Sequence, residues 1–236
     1  MFEFELISEE KKMLVNAIQN GLLDSKRERE SNQTITNNRK HMSKWDFVNT
    51  NVSKTLEYNE RFCIIPLDRG LFEPIMIFDR KTKNLYTIMK VKNFEKVLSR
   101  QEITKCHYMD AMLDNNLPYK TNPNQLSLLE ANDMFSEKAE QQIDELSTNI
   151  KTMFHTDIIS KYYTIVVDFS GYILTSVEIY FCSKWLEILE NESWNDFILP
   201  SYEIVGEPDN VLYNKENELK SKIQIKPAVK RKFGLA

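Results

Sequence analysis

Residues 162–182 read YYTIVVDFSGYILTSVEIYFC. Two runs rich in β-branched and aromatic side chains flank Ser170-Gly171, a pair suited to a tight turn, so the segment predicts a β-hairpin. In the second run Ile173, Thr175, Val177 and Ile179 alternate with Leu174, Ser176, Glu178 and Tyr180, the pattern of a strand buried on one face. A second hairpin is expected upstream. Residues 72–79 and 84–91 are apolar runs joined by the polar tetrapeptide RKTK, and residues 61–67 (RFCIIPL) supply a fifth strand. Pro66 and Pro74 belong at strand ends or on an edge, because proline cannot donate to a sheet ladder.

The remaining apolar periodicity is helical. Leu126, Leu129, Phe135, Ala139, Ile143, Leu146, Ile150 and Phe154 recur every three or four residues apart from one wider gap, opposite a face of Glu137, Lys138, Glu140, Gln141, Asp144 and Glu145. The spacing predicts an amphipathic helix of about 20 residues or more. Ser8 is placed to cap a first helix carrying Met13, Leu14, Ala17, Ile18 and Leu22, with Gly21 weakening its last turn. Trp45, Val48, Val52 and Leu56 mark a second, and residues 93–99, 107–113 and 194–198 suggest short ones. The expected fold class is α+β: a mostly antiparallel sheet of about five strands, built from two hairpins, packed on one long helix and several shorter ones. The expected organisation is an N-terminal helix (1–23), a polar linker or loop (24–44), an α+β core domain (45–205) and a polar, basic C-terminal tail (206–236).

A chain of 236 residues, 42% hydrophobic and 28% charged, is long enough to bury a core and too apolar for wholesale disorder. Its net charge of −4 is unevenly spread. Residues 220–236 hold six basic residues and no acid, leaving 25 basic against 35 acidic residues elsewhere. Such a tail is either a solvated terminus or a contact for a polyanion, with Lys226, Lys230, Arg231 and Lys232 as the candidate contacts for nucleic acid or a partner. Cys63, Cys106 and Cys182 are odd in number and lack CxxC spacing, which argues against a disulfide framework or a zinc site; Cys63 and Cys182 sit inside apolar runs and are expected as buried thiols in a reducing compartment. The opening residues lack a signal-peptide pattern and no apolar run reaches membrane-spanning length. The expected location is cytoplasmic, without membrane contact.

Several enzyme classes are disfavoured. The five glycines, 21, 70, 171, 206 and 234, are too scattered to build a P-loop or a dinucleotide-binding GxGxxG turn. No GxSxG elbow and no HExxH pair occurs. No cofactor is expected. The sharpest catalytic alternative is a metal-dependent nuclease or toxin of PD-(D/E)xK type, in which strand carboxylates hold magnesium and a lysine supports the attacking water. Asp79, Lys90, Asp168 and Glu178 are the candidates, beside Glu73 and Lys92. Ile88 stands where the first triplet needs an acid, and Tyr180 stands where the second needs lysine. His107 and Asp110 lie three apart on one helical face and could share a metal, or equally cap and pack a helix start. Adjacent Cys106 and His107 point apart on a helix and make a poor catalytic pair. Between Asp24 and Lys44, six basic residues are offset by three acids, a weak nucleic-acid footprint without aromatic interleaving.

One ordered set of segments is familiar as a whole: NLYTIMKVKN (84–93), HYMDAMLDN (107–115), QLSLL (125–129), YYTIVVD (162–168), LTSV (174–177) and WNDFI (194–198). It resembles a domain family of unknown function from Gram-positive bacteria and their phages and mobile elements, whose members carry HYLDAL and QLSLF segments. Met109 and Met112 replace two leucines of that pattern, and Leu129 replaces its aromatic residue; these swaps preserve packing. The resemblance transfers no catalytic residue. It implies a regulatory, anti-defence or toxin–antitoxin-like context. The function expected from all of this is a non-enzymatic protein-interaction or regulatory protein that binds another protein. The metal-dependent nuclease and a nucleic-acid-binding regulator using the basic tail are the alternatives.

Overall fold

Alternating side chains in the central strands divide the apolar residues between two faces, and each face is covered by helices. The computed structural model describes residues 4–31, 42–68, 72–100, 102–119 and 135–200. In chain order the elements are α1 (Ser8–Ser31), α2 (Met42–Glu57), β1 (Phe62–Pro66), β2 (Ile75–Asp79), β3 (Asn84–Lys90), α3 (Val91–Leu98), α4 (Tyr108–Leu113), α5 (Glu137–Met153), β4 (Lys161–Ser170), β5 (Ile173–Cys182) and β6 (Ile188–Ser193). Short 3-10 turns follow α4 and β6. They form one compact unit, Met1–Ile198; the second unit, Leu199–Ala236, lies outside the described residues beyond its first two.

The class is α+β, and the sheet corrects the expected count and pairing. It has six strands in the order β1 to β6. Two antiparallel meanders, β1-β2-β3 and β4-β5-β6, join through a parallel pair in which Asn84 faces Lys161 and Lys90 faces Val167. A parallel join needs a long crossover, and α3, α4 and α5 supply it. Strand β6 escapes the apolar pattern because Glu190, Asn191 and Glu192 interrupt it; charge on an edge strand discourages pairing with other chains.

On one face Ile77, Tyr86, Ile88, Tyr163, Ile165, Val177 and Ile179 pack with Leu14, Ile18 and Leu22 of α1 and Val48, Val52 and Leu56 of α2. On the other, Met76, Phe78, Leu85, Met89, Tyr162 and Val166 pack with Phe94 of α3, Met109 and Met112 of α4, and Ile150 of α5. The first helix therefore belongs to the same core as the sheet. It also runs eight residues past the expected boundary at 23, through a stretch whose support comes from the Arg27–Asp24 (3.3 Å) and Lys26–Glu30 (3.8 Å) pairs. Ser8 is already helical. Ile7 precedes the helix, and its N–H donates to Glu10 Oε2 at 3.0 Å.

Gly21 has a different role from the one its helix propensity suggests. A Cβ there would lie 2.5 Å from Val48 Cα, so the residue lets α1 and α2 approach backbone to backbone. In the second hairpin the turn centres on Gly171 and Tyr172, with Gly171 at φ +62°, a conformation glycine adopts without steric cost. The register shifts between Asp168 and Phe169, where Thr175 is the extra residue. That bulge reverses the expected alternation: Leu174 is buried and Ile173 is 63% exposed. Helix α5 starts at Glu137 with Ser136 as its cap; Leu126 and Leu129 lie outside the described residues. It ends in a Schellman turn, with Thr156 N–H donating to Lys151 O and His155 in the left-handed region at φ 50°. Among the described residues, no helix is long and apolar enough to cross a membrane.

Candidate functional site

At the end of the sheet where β3 begins, the charged groups bond to one another. The carboxylate of Asp79 is fully buried at the start of the β2–β3 turn. It accepts Arg61 Nε at 2.8 Å and Nη2 at 2.5 Å, the Thr82 hydroxyl at 2.8 Å and the Lys81 N–H at 2.9 Å. Burial alone would raise its pKa, but these donors outweigh burial and hold it below the ordinary aspartate value. The same guanidinium bonds Glu10 of α1. Asp79 thus closes a turn and joins the sheet to the first helix. Nearby, burial pushes the Tyr86 and Tyr163 phenols upward, so they stay neutral.

The other nuclease candidates stand elsewhere. Lys90 ends β3, six residues beyond Asn84, the cross-strand partner of Asp79. At roughly 3.3 Å per residue that separates them by about 20 Å. Lys90 lies on the α1–α2 side, with Nζ 4.2 Å from the Phe169 ring centroid. Asp168 and Glu178 follow the alternation of Val166 and Tyr180 and take the opposite face. Glu178 accepts the Tyr180 hydroxyl at 2.6 Å; burial and that bond push the phenol up to about 12. Asp168 and Glu178 are diagonal neighbours on one face of paired strands, Lys90 projects from the other face, and Asp79 lies at the far end of the sheet. Among the described residues no three of His, Cys, Asp or Glu stand together as a metal site.

His107 and Asp110 form a capping box. His107 Nδ1 accepts the Met109 N–H at 3.2 Å, and Asp110 Oδ2 accepts the His107 N–H at 2.7 Å. Arg100 grips Asp110 through two bonds, at 3.0 and 2.5 Å. Nδ1 and the N–H of His107 and the Asp110 carboxylate thus serve the start of α4. Cys106 donates weakly to the His107 carbonyl, and burial pushes the Cys182 thiol up to about 12. Cys63 differs from expectation in being only half-buried. The tail residues Lys226, Lys230, Arg231 and Lys232 lie outside the described residues.

Two concavities stand out among the described residues. One is a cavity of about 90 Å³ at the end of β3, lined by Trp45, Phe72, Asn93, His107, Tyr108 and, from β3, Ile88, Met89 and Lys90. The second is a groove of about 590 Å³ between α2 and the edge strand β1. Phe62, Cys63, Ile64, Pro66 and Ile75 give it an apolar floor, and Thr50, Lys54, Glu57 and Arg80 form its rim. The edge itself is poorly suited to adding a strand. Arg80 N–H bonds Arg61 O and Leu67 N–H bonds Pro74 O, so residues 62, 64 and 66 face outward by alternation. The Phe62 N–H is taken by Asn59 O and Pro66 has none, which leaves Ile64 as the outward donor of β1. Neither concavity is visible as a motif, because each draws its lining from segments far apart in the chain.

The chain belongs to the family of unknown function DUF5986, whose model matches residues 5–234. No curated protein and no solved structure matches it.

Proposed function

We propose that this member of the DUF5986 family is a non-enzymatic binding module that docks another protein through the groove between α2 and β1. The reading rests on that groove: about 590 Å³ of apolar floor with a mixed-charge rim, beside an edge strand that offers one outward N–H. Such a surface favours side-chain docking over strand addition. It is further supported by the use of Asp79, Asp110 and Glu10, the buried acids, as fold-holding groups. A regulatory role in a prophage or other mobile element, in a cytoplasm that keeps thiols reduced, completes the proposal. The genes on either side of this one test that setting.

The docking reading is tested with Thr50→Arg, which places a bulky side chain at an exposed rim position and leaves the core untouched. A protein partner isolated from the native host on the immobilised wild-type chain should bind the variant at least about tenfold more weakly, about 1.4 kcal/mol. Unchanged affinity, or turnover of nucleic acid or nucleotide by the purified chain, would contradict the proposal.

A further inference from the structure

Strands β3 and β4 form a parallel pair, and the carboxyl end of β3 lines the 90 Å³ cavity. In open α/β sheets, ligands favour the crevice outside the carboxyl ends of the parallel strands. Here Lys90 lines it. No hydrogen bond or ion pair holds its ammonium among the described residues; its contact is the Phe169 ring. None of the described lining residues is acidic. The exposed Asn93 side chain adds an amide at the mouth.

The walls narrow the choice of ligand. Trp45 meets Phe72 edge-on at 6.2 Å and Phe169 at 6.1 Å, a fixed aromatic corner next to Lys90. Aromatic walls by themselves would attract a cation, but two ammonium groups already stand beside this corner, over the adjoining Phe169 and Tyr172 rings. Lys44 Nζ lies 5.3 Å from the Phe169 centroid and 4.3 Å from that of Tyr172, and Lys90 lies 4.2 Å from Phe169. A third cation would be repelled. The cavity, about 90 Å³, has room for one oxyanion group. The rest of a ligand would rest on Phe72, which is 39% exposed, and Trp45. We infer that this cavity binds a small organic anion, a phosphate or carboxylate group carried on an apolar or aromatic body, with Lys90 bonding the oxyanion and Trp45 and Phe72 holding the body. This site is separate from the α2–β1 groove, and neither proposal depends on the other.

The test is calorimetric titration of the full chain, at constant ionic strength, with phenyl phosphate, benzoate, inorganic phosphate and benzyl alcohol. One-to-one saturable uptake is expected for phenyl phosphate or benzoate, and the tighter of the two identifies the headgroup. Inorganic phosphate should bind more weakly, and benzyl alcohol should give no saturation. Lys90→Gln should weaken uptake at least about tenfold, the loss expected of a charge-assisted hydrogen bond, while Lys92→Gln, an identical charge change at the exposed neighbouring position, should change it less than about twofold. Asn93→Asp supplies a variant that keeps the fold, because an acid in the first turn of a helix is stabilising, yet sets a negative charge at the mouth and should abolish uptake. Absence of saturable uptake of both aromatic anions, equal weakening by Lys90→Gln and Lys92→Gln, or undiminished uptake by Asn93→Asp would overturn the inference.

Discussion

The two ends of the parallel strand pair spend charge in opposite ways. Where β3 begins, Arg61 lies between Asp79 and Glu10, and each group is bonded into a turn or a helix start. Where β3 ends, Lys90 makes one ring contact and no ion pair among the described residues. Buried charge is costly unless paired and fully hydrogen-bonded, so the first arrangement reads as structure. A half-buried cation set against one aromatic ring carries little of the fold. The identity of an ionisable residue on a strand end is therefore a weak guide to its role; its partners decide.

The sharpest way to break this comparison is Asp79→Ala. It removes one partner of a buried pair and leaves Arg61 facing Glu10 alone, and it should cost about 3–5 kcal/mol in urea unfolding. The pH dependence follows the sign of the shift. Asp79 is held below its ordinary value in the folded chain, so its stabilisation is present above about pH 4 and is lost as pH falls through the lowered value. Asp79→Asn should flatten that part of the stability profile; an unchanged acid limb would place the pairing energy elsewhere. Gly21→Ala comes next. Helix propensity alone predicts a gain of about 1 kcal/mol, but the added methyl meets the α2 backbone, and a net loss of about 1–3 kcal/mol is expected from thermal or urea unfolding. A gain would show that α1 and α2 separate freely. His107→Ala should cost about 1 kcal/mol through loss of the α4 cap, with no effect on metal content by elemental analysis. A metal lost with the imidazole would reinstate His107 and Asp110 as ligands.

Much of the fold was legible because local chemistry and tertiary position agree. The runs 72–79, 84–91 and 162–182 combine β-branched and aromatic residues with turn residues, and they form strands close to their expected bounds. The helical face of α5 follows its apolar spacing through Ala139, Ile143 and Ile150. What escaped depends on partners remote in sequence. The parallel join pairs Asn84 with Lys161 across a crossover of many residues, and β6 is a strand only because β5 is beside it. Helix α1 outruns its apolar stripe because charged pairs carry its last turns. At the candidate site, Lys90 stood out in the sequence as a nuclease lysine, and its aromatic neighbours did not, because Trp45, Phe72 and Phe169 come from three separate segments.

Urea unfolding of Asp79→Ala and Lys90→Gln side by side at pH 7 tests the contrast between the two strand ends most directly. Lys90→Gln removes one partly exposed cation–ring contact and should cost no more than about 1 kcal/mol, well short of the loss in Asp79→Ala. Equal losses in the two variants would show that Lys90 is as much a part of the scaffold as Asp79, and would contradict the account.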